Sequence, residues 1–349
     1  MGVRPTMRDI ARAAGVPVSA VPLVLANKPG VSPARRARIQ DAVAALGYQR
    51  PTGPPRLSRR HRLGLVIEAR GIPIFSDFYY GHILVGIEAE AKRLGLSVWL
   101  HTFDPELEAI EDVARSARDE VDGLLIVSGG DMTDARIAHL ERTGLPTVLV
   151  DNFLVDHAVH AVVADNFGAG AIATRHLLDL GHRRIAMVAG ARTYRKFTQR
   201  LNGYLDALAE AGITPDPAWL PPPPLGEERP GEPRPGEWQV RQILALPPEQ
   251  RPTALVMTND RLASRALAFL HRAGVRVPHE MSVVGIGNAD EASSTIPPLT
   301  TVSVPRREMG IQGVQRLVDL LRGTAPPPYK TVLYTHLVER ESAGPPPSA

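Results

Sequence analysis

A glycine-rich stretch near the middle of the chain has the spacing of a phosphate-binding loop. Residues 168–173 read Gly-Ala-Gly-Ala-Ile-Ala, and this matches the G-x-G-x-x-A pattern with which a helix start binds a dinucleotide. Such a site also needs an acidic residue about 20 positions further on, to bind the ribose hydroxyl. Residues 180–200 contain no Asp or Glu. We therefore interpret these glycines as a place where a helix packs closely on a strand, and we predict no cofactor.

Other catalytic patterns are absent from the sequence. It contains no G-x-S-x-G, P-loop or H-E-x-x-H, and the 11 histidines lack the spacing of metal ligands. The chain has no cysteine, which excludes disulfides and thiol catalysis. No run of 18 apolar residues suggests a membrane span, and no apolar region follows the N-terminus as in a secretory signal. We predict a cytoplasmic protein that is neither an enzyme nor a metalloprotein.

The first 50 residues predict three short helices. Thr6 and Asp9 have the spacing of a capping box, and Gly15 stands where the first helix would end. A second helix follows, with Val21 and Val24 facing the first, and a third starts after Ser32 as N-cap. Two short helices joined by a glycine-containing turn form a helix-turn-helix.

The charge of the chain is concentrated in this region. Residues 1–62 contain 12 Lys and Arg against 2 Asp and Glu, a net charge of +10, whereas the whole chain carries +3. A basic head on an acidic body is suited to binding phosphate groups, as in proteins that bind nucleic acid. The alternative is a basic, solvated face on an interaction domain.

The residues from Thr6 to Leu25, with Val31-Ser32 and Leu46-Gly47-Tyr48, resemble the N-terminal DNA-binding domain of the LacI family of bacterial repressors. The likeness continues to about residue 341. It implies a ligand-responsive transcriptional repressor that binds double-stranded operator DNA as a homodimer and a small-molecule effector in a separate sensor. The DNA contacts that it implies are carried by Thr6, Arg8, Val18, Ser19, Ala20, Leu23, Asn27, Ser32, Arg35, Arg36, Tyr48 and Leu57.

The head departs from the family at its prolines. Pro22 would break a helix interior, but it is tolerated if Ser19 is the N-cap, because Pro22 then lies in the first turn. In the family the linker forms a hinge helix on DNA, and Leu57 stands where its minor-groove leucine belongs. Pro54 and Pro55 disfavour that helix. We predict a head adapted to these prolines; the alternative is a degraded head, in a sensor that acts through a protein partner.

The resemblance also implies an effector cleft. Arg200 matches the arginine that binds effectors in the family, and its planar fork of donors suits hydroxyl or carboxylate oxygens. Asn259 and Asp260 match the family's Asn-Asp after a strand, and the segment with Asp77 and Tyr79 resembles its cleft loop. The alternatives are helix capping by Asp77 and Asp260 and a surface ion pair for Arg200.

One position of the predicted cleft lacks the usual family residue. The family's ligand-binding aspartate is replaced by Gly287, with Asn288 next to it. Asn288 then compensates as an effector contact, or the cleft accepts an anion because Arg200 has lost its counter-charge. The sequence therefore predicts a small polar effector that is either sugar-like or anionic.

The elements that position these residues alternate between strands and helices from Leu63 onwards, which predicts parallel sheets covered on both faces. The expected fold class is α/β: a three-helix helix-turn-helix head and a two-lobed periplasmic-binding-protein-like sensor of doubly wound parallel sheets. We expect a head at 1–50, a proline- and arginine-rich hinge linker at 51–62 and a sensor at 63–341. Its first lobe would contain residues 63–162 and 292–321, and its second lobe residues 163–291 and 322–341.

Two proline-rich segments complete the prediction. Residues 221–235 contain seven prolines and predict an extended surface loop, and residues 342–349 predict a disordered tail. A secreted solute-binding protein would share the sensor fold, but the basic head and the missing signal sequence argue against it.

Overall fold

The chain consists of two compact units, 1–56 and 57–349. We describe them from a computed structural model, which covers residues 7–17, 20–25, 31–46, 62–68, 78–104, 108–127, 134–154, 158–190, 195–222 and 234–347. The division between the units falls inside the predicted linker. Within the described ranges, no helix has the length and hydrophobicity needed to cross a membrane.

The described part of the N-terminal unit contains three helices around a small apolar core. They are α1 Met7–Ala14, α2 Ala20–Leu25 and α3 Pro33–Ala45. Gly15 ends α1 with a φ of +62°, a conformation that glycine adopts without strain. Ile10, Val21 and Ile39, one from each helix, are fully buried against each other. Ser32 occupies the predicted N-cap position of α3, but its side chain makes no capping hydrogen bond.

One lobe of the C-terminal unit is built on a six-stranded sheet in the order β10-β5-β4-β3-β1-β2, in which every described pairing is parallel. Its strands are β1 Arg62–Glu68, β2 Ser97–Phe103, β3 Gly123–Val127, β4 Thr147–Val150, β5 His160–Ala164 and β10 Lys330–Leu333. Helices α4 Phe78–Arg93, α5 Ile110–Glu120, α6 Asp134–Arg142 and α11 Arg306–Leu321 belong to this lobe. Alternate strand residues such as Leu125 and Ile126 pack into different apolar clusters, so helices cover both faces.

The other lobe is built on a five-stranded sheet in the order β11-β9-β8-β7-β6, with only β11 antiparallel to its neighbour. Its strands are β6 Ile185–Val188, β7 Ala254–Met257, β8 Ser282–Gly287, β9 Thr300–Ser303 and β11 His336–Val338. Helices α7 Asn166–Asp179, α8 Arg195–Glu210, α9 Glu237–Leu244 and α10 Asp260–Arg272 accompany them. We call the two parts lobe 1 and lobe 2.

The first predicted lobe boundary, near residue 162, agrees with the crossing after β5, whereas the other two, near 291 and 322, differ from the structure. Residues 300–303 were assigned to lobe 1, but they form β9 of lobe 2, and β10 at 330–333, assigned to lobe 2, lies in lobe 1. The crossings therefore follow β5, β9 and β10. Strands β10 and β11 follow each other closely in the chain but lie in different sheets, because the chain changes lobe between Leu333 and His336.

In each lobe, two helices cross closely where glycine faces backbone. A Cβ on Gly170 in α7 would collide with the carbonyl oxygen of Arg200, and one on Gly203 in α8 with that of Phe167. Gly86 and Gly310 have the same relation in α4 and α11 of lobe 1. The motif at 168–173 therefore brings helix against helix, whereas the sequence had suggested helix against strand. One consequence is that α8, which carries Arg200, is held close to α7.

The C-terminal tail is ordered as far as the structure describes it, to residue 347, so the prediction of a disordered tail from 342 is wrong there. Ser342 is fully buried and bridges two strands: its Oγ accepts from the N–H of Thr300 at 2.9 Å and donates to the carbonyl of Val283 at 2.5 Å. Ser282 Oγ and His182 Nε2 both bind the carbonyl oxygen of Gly344, at 3.0 and 2.8 Å. The prolines follow these anchor residues and do not prevent their hydrogen bonds.

Candidate functional site

The described part of the head presents a helix-turn-helix with exposed cations. The second helix begins at Ala20, so Pro22 is its third residue and lies in the first turn, where a missing N–H removes no helical hydrogen bond. Leu23 lies in the same helix, and Arg35 is exposed on α3. Arg36 is half-buried on α3, and Arg8 lies in α1. The other predicted contacts, Thr6, Val18, Ser19, Asn27, Tyr48 and Leu57, lie outside the described residues.

The second site forms where the carboxyl ends of parallel strands meet. In lobe 2, Thr258 follows β7 and Asn288 follows β8, and these parallel strands bring both residues to the edge where open α/β sheets bind ligands. Asn166 starts α7 of the same lobe, soon after the chain leaves β5 of lobe 1. Asp151 follows β4 at the corresponding edge of lobe 1. The two edges form the cleft of this sensor.

Arg200 is at the centre of the lobe 2 side. The residue is only 1% exposed, so the alternative of a surface ion pair is wrong. Its Nε donates to Asn166 Oδ1 at 3.0 Å and its Nη1 to the carbonyl oxygen of Thr258 at 2.6 Å. Its Nη2 is buried and makes no hydrogen bond within the described residues. A buried guanidinium N–H without an acceptor is costly, so this donor is available for a bound oxygen atom.

Asp260 supplies a carboxylate beside Arg200. It is 2% exposed, and its two oxygens accept hydrogen bonds from Thr301 Oγ at 2.6 Å and from the N–H of Ala289 at 2.7 Å. Burial raises the pKa of Asp260, while these two hydrogen bonds and the charges of Arg306 and Arg200 oppose the rise. The helix N-cap is its neighbour Asn259, whose Oδ1 accepts from the N–H of Leu262 at 2.8 Å. The capping role considered for Asp260 is therefore filled by Asn259.

Gly287 has no side chain, and the Asp260 carboxyl group lies where a side chain at position 287 would begin. Its φ of +146° is one that other residues rarely adopt, and a Cβ there would lie 3.1 Å from Asp260 Oδ2. A second aspartate at 287 would be strained and would face a like charge. Asp260 thus places a carboxyl group beside Arg200, where the sequence had seemed to leave none.

Asn288 is held by two arginines. Its Oδ1 accepts from Arg340 Nη2 at 2.8 Å, and its carbonyl oxygen accepts from Arg306 Nη2 at 2.8 Å. Its backbone has a φ of +50°, a left-handed conformation that asparagine tolerates better than most residues. The side-chain oxygen predicted to contact an effector is thus bonded to the C-terminal segment.

The remaining predicted cleft residues are only partly described. Asp77 lies outside the described residues, and Tyr79 is described only in its backbone, in the first turn of α4. Sequence reasoning missed Asn166, Thr258, Asp151 and Lys196. Asp151 could have been found by the rule that selected Asp260, since it directly follows an apolar strand, and Lys196 lies one helical turn before Arg200.

Comparison with known proteins agrees with this architecture. Residues 6–51 match the family model of bacterial regulatory proteins, lacI family, and residues 174–343 match that of a periplasmic binding protein-like domain. The HTH-type transcriptional repressor CytR of Escherichia coli (strain K12) is 31% identical over 323 residues, 91% of this chain and 90% of that protein. The HTH-type transcriptional regulator CelR of Thermobifida fusca is 31% identical over 343 residues, 97% of this chain and 98% of that protein. The structure of a transcriptional regulator CelR–cellobiose complex has a TM-score of 0.72 and 31% identity, and covers 97% of this chain and 100% of that one.

The two units therefore define a transcriptional regulator with a helix-turn-helix head and a periplasmic-binding-protein-like sensor. The chain belongs to the lacI family of bacterial regulatory proteins. As a member of this family it is a DNA-binding transcriptional regulator and not an enzyme. The predicted fold class and family are thereby confirmed.

Proposed function

We propose that this chain is a cytoplasmic repressor that binds a roughly palindromic operator as a homodimer, and that a neutral, hydroxyl-rich molecule in the cleft controls its DNA affinity. The observation that carries the proposal is the buried Nη2 of Arg200, which has no hydrogen-bond partner among the described residues, beside an Asp260 carboxyl group with both oxygens hydrogen-bonded. A hydroxyl oxygen accepts from such a donor without adding charge. The similarity to the repressor CytR supports repression.

The charges of the cleft favour a sugar over an anion. The anionic alternative depended on an Arg200 without an acidic neighbour, but the Asp260 carboxyl group interacts electrostatically with Arg200 and Arg306, and Lys196 is paired with Asp151. An anion would meet both carboxylates, whose repulsion is strong where water is excluded. The similar CelR was solved with cellobiose, which is a neutral sugar.

Calorimetric titration of the full chain with neutral sugars, cellobiose first, and with their phosphorylated counterparts tests the effector class. We expect a neutral sugar to bind and to change operator affinity. Arg200→Ala should weaken that binding by about 2–4 kcal/mol, roughly 30- to 1000-fold, because the ligand oxygen and the Asp260 charge lose their partner.

Arg175→Ala is the matched control, since Arg175 is an exposed arginine of the same lobe whose partner is Glu210. It should leave affinity unchanged. Binding of the phosphorylated sugars alone would make the effector anionic, and full affinity in Arg200→Ala would place the site elsewhere.

The head is proposed to supply the DNA affinity. Its +10 charge at residues 1–62 predicts binding that weakens steeply with salt. Selection of operators from random DNA should yield a palindromic motif with the natural protein, because Pro22 lies in the first turn of α2. Recovery of a motif only with the Pro22→Ser/Leu23→Arg variant would show instead that the head is degraded.

The homodimer is supported by an apolar surface on lobe 2. Ile296 is 81% exposed and, with Leu267, Val275, Val277 and Pro297, lines a groove of about 450 Å³ whose other lining residues include His271, Arg276 and His279. An exposed apolar patch flanked by polar side chains suits contact with a second copy. Light scattering of the full chain should give twice its 37.8 kDa mass, and a monomer at micromolar concentration would overturn this part.

A further inference from the structure

Two oppositely charged side chains connect the lobes across the cleft. Lys196, in the first turn of α8, places its Nζ 2.7 Å from Oδ2 of Asp151, which directly follows β4. Helix α8 belongs to lobe 2, where Tyr204 donates to the carbonyl oxygen of Ile185 in β6 at 2.8 Å. Strand β4 belongs to lobe 1. The ion pair therefore joins two residues that are 45 positions apart in the chain and belong to different lobes.

This pair is shielded from water. The Asp151 side chain is 0% exposed and that of Lys196 is 10% exposed. The Lys196 ammonium also lies 5.8 Å from the ring of Tyr80 in lobe 1 and 5.9 Å from the ring of Phe197 in lobe 2. Aromatic faces attract cations, so both lobes contribute to the surroundings of one charge.

Weaker contacts accompany the pair. Arg195 Nη1 donates to the carbonyl oxygen of Phe153 at 3.1 Å. Arg195 is the neighbour of Lys196 in lobe 2, and Phe153 follows Asp151 by two residues in lobe 1. His82 of α4 lies 3.0 Å from Asp290 of lobe 2, but both side chains are well exposed. Exposed pairs contribute little, so the buried pair is the contact whose loss matters most.

We propose that Lys196 and Asp151 form a charge-matched latch, which allows the lobes to close only when both charges are present. A buried pair gains little net free energy over apolar side chains, but removal of one partner takes from the other, buried charge the opposite charge that lies 2.7 Å away. The closed cleft then becomes unfavourable, and the remaining charge gains water when the lobes separate. The inference does not depend on which effector the cleft binds.

The chain is suited to a direct test because it contains no cysteine. Ser116→Cys in α5 and Ala268→Cys in α10 place two spin labels at exposed positions, one in each lobe. Labelled full-length protein is mixed with an excess of unlabelled protein, so that double electron–electron resonance reports distances within one chain. The measurement requires no ligand.

We expect Lys196→Met and Asp151→Asn each to shift the distance distribution to longer values. The charge swap Lys196→Asp/Asp151→Lys should restore the short distances of the parent protein. Arg175→Met is the matched control, since it removes an ion pair between α7 and α8 within lobe 2, and it should leave the distances unchanged.

Short distances in both single variants, or a charge swap that stays at the long distances, would overturn the latch. If Lys196→Met does not fold, as judged by its melting transition, Asp151→Asn carries the test, because asparagine keeps the volume of the aspartate. If Arg175→Met shifted the distance distribution equally, the longer distances would result from a general loss of packing in the protein. That outcome would also refute the proposal.

Discussion

Replacing Thr301 with valine tests the charge on the cleft carboxylate. Thr301 is fully buried in β9, and its hydroxyl donates to Asp260 Oδ1 at 2.6 Å and accepts from the N–H of Asn288 at 3.3 Å. Valine has nearly the same shape, so the substitution removes two hydrogen bonds without creating a cavity. The loss should therefore measure how strongly the hydroxyl stabilises an ionised Asp260.

The expected magnitude follows from the two bonds. A hydrogen bond to a charged group contributes about 1.5–3 kcal/mol, and the long bond to Asn288 adds little. We expect the free energy of unfolding to fall by about 2 kcal/mol. A large domain loses roughly 2 °C of melting temperature per kcal/mol, so the C-terminal unit should melt about 4 °C lower.

Thr143 provides a matched control. Its hydroxyl donates to the carbonyl oxygen of Leu140 at 2.6 Å and accepts from the N–H of Leu145 at 3.3 Å, the same pattern with a neutral acceptor. Thr143→Val should cost only about 1 kcal/mol. The two variants are compared by scanning calorimetry over a pH series.

The pH series has a defined sign. Burial raises the pKa of Asp260, so the extra penalty in Thr301→Val should be present above that pKa and should disappear as the pH falls through it, when the carboxyl becomes neutral. Equal penalties for the two variants at pH 8 would mean that Asp260 carries no charge there. That result would remove the counter-charge argument for a neutral effector.

Two further predictions concern packing and pH. Gly170→Ala should destabilise lobe 2 by about 1–3 kcal/mol, because the new Cβ meets the backbone of Arg200. Gly81 is a helical glycine with open space around it, so Gly81→Ala should be neutral or slightly stabilising. Chemical denaturation of the two variants checks both expectations. Burial lowers the pKa of His182, so folded protein binds fewer protons than unfolded protein just below pH 6.5, and stability should fall as the pH drops from about 6.5 toward the lowered pKa. His182→Gln should flatten that decline, and an unchanged slope in urea titrations would contradict this account.

The sequence predicted the repeating strands and helices well, because buried parallel strands are continuous apolar runs. It missed β9, since Thr300–Ser303 is short, carries little apolar signal and follows Pro297-Pro298. The sequence also could not show that β10 and β11 lie in different sheets. The periodicity of apolar residues indicates which face of a strand is buried, but it does not indicate which strands pair with it.

Some residues of the cleft were predicted from the sequence and others were not, because sequence patterns do not show which distant segments meet. Arg200 was identified by its likeness to the family, and Asp260 by likeness and by its place after a strand, but the Lys196–Asp151 pair joins segments that no local pattern connects. Asn288 was taken as an effector contact, whereas Arg340 binds its side chain, and that arginine is 52 residues away. Such long-range pairings are set by the tertiary fold.

The order of the segments along the chain has a consequence for synthesis. The edge strand β10 of lobe 1, the strand β11 of lobe 2 and the anchor residue Ser342 all lie within residues 330–342. Neither lobe can therefore be completed until this segment has been translated, whereas the head is contiguous within 1–56 and can fold as soon as it leaves the ribosome. A chain truncated after residue 325 would keep its head but would carry two unfinished lobes.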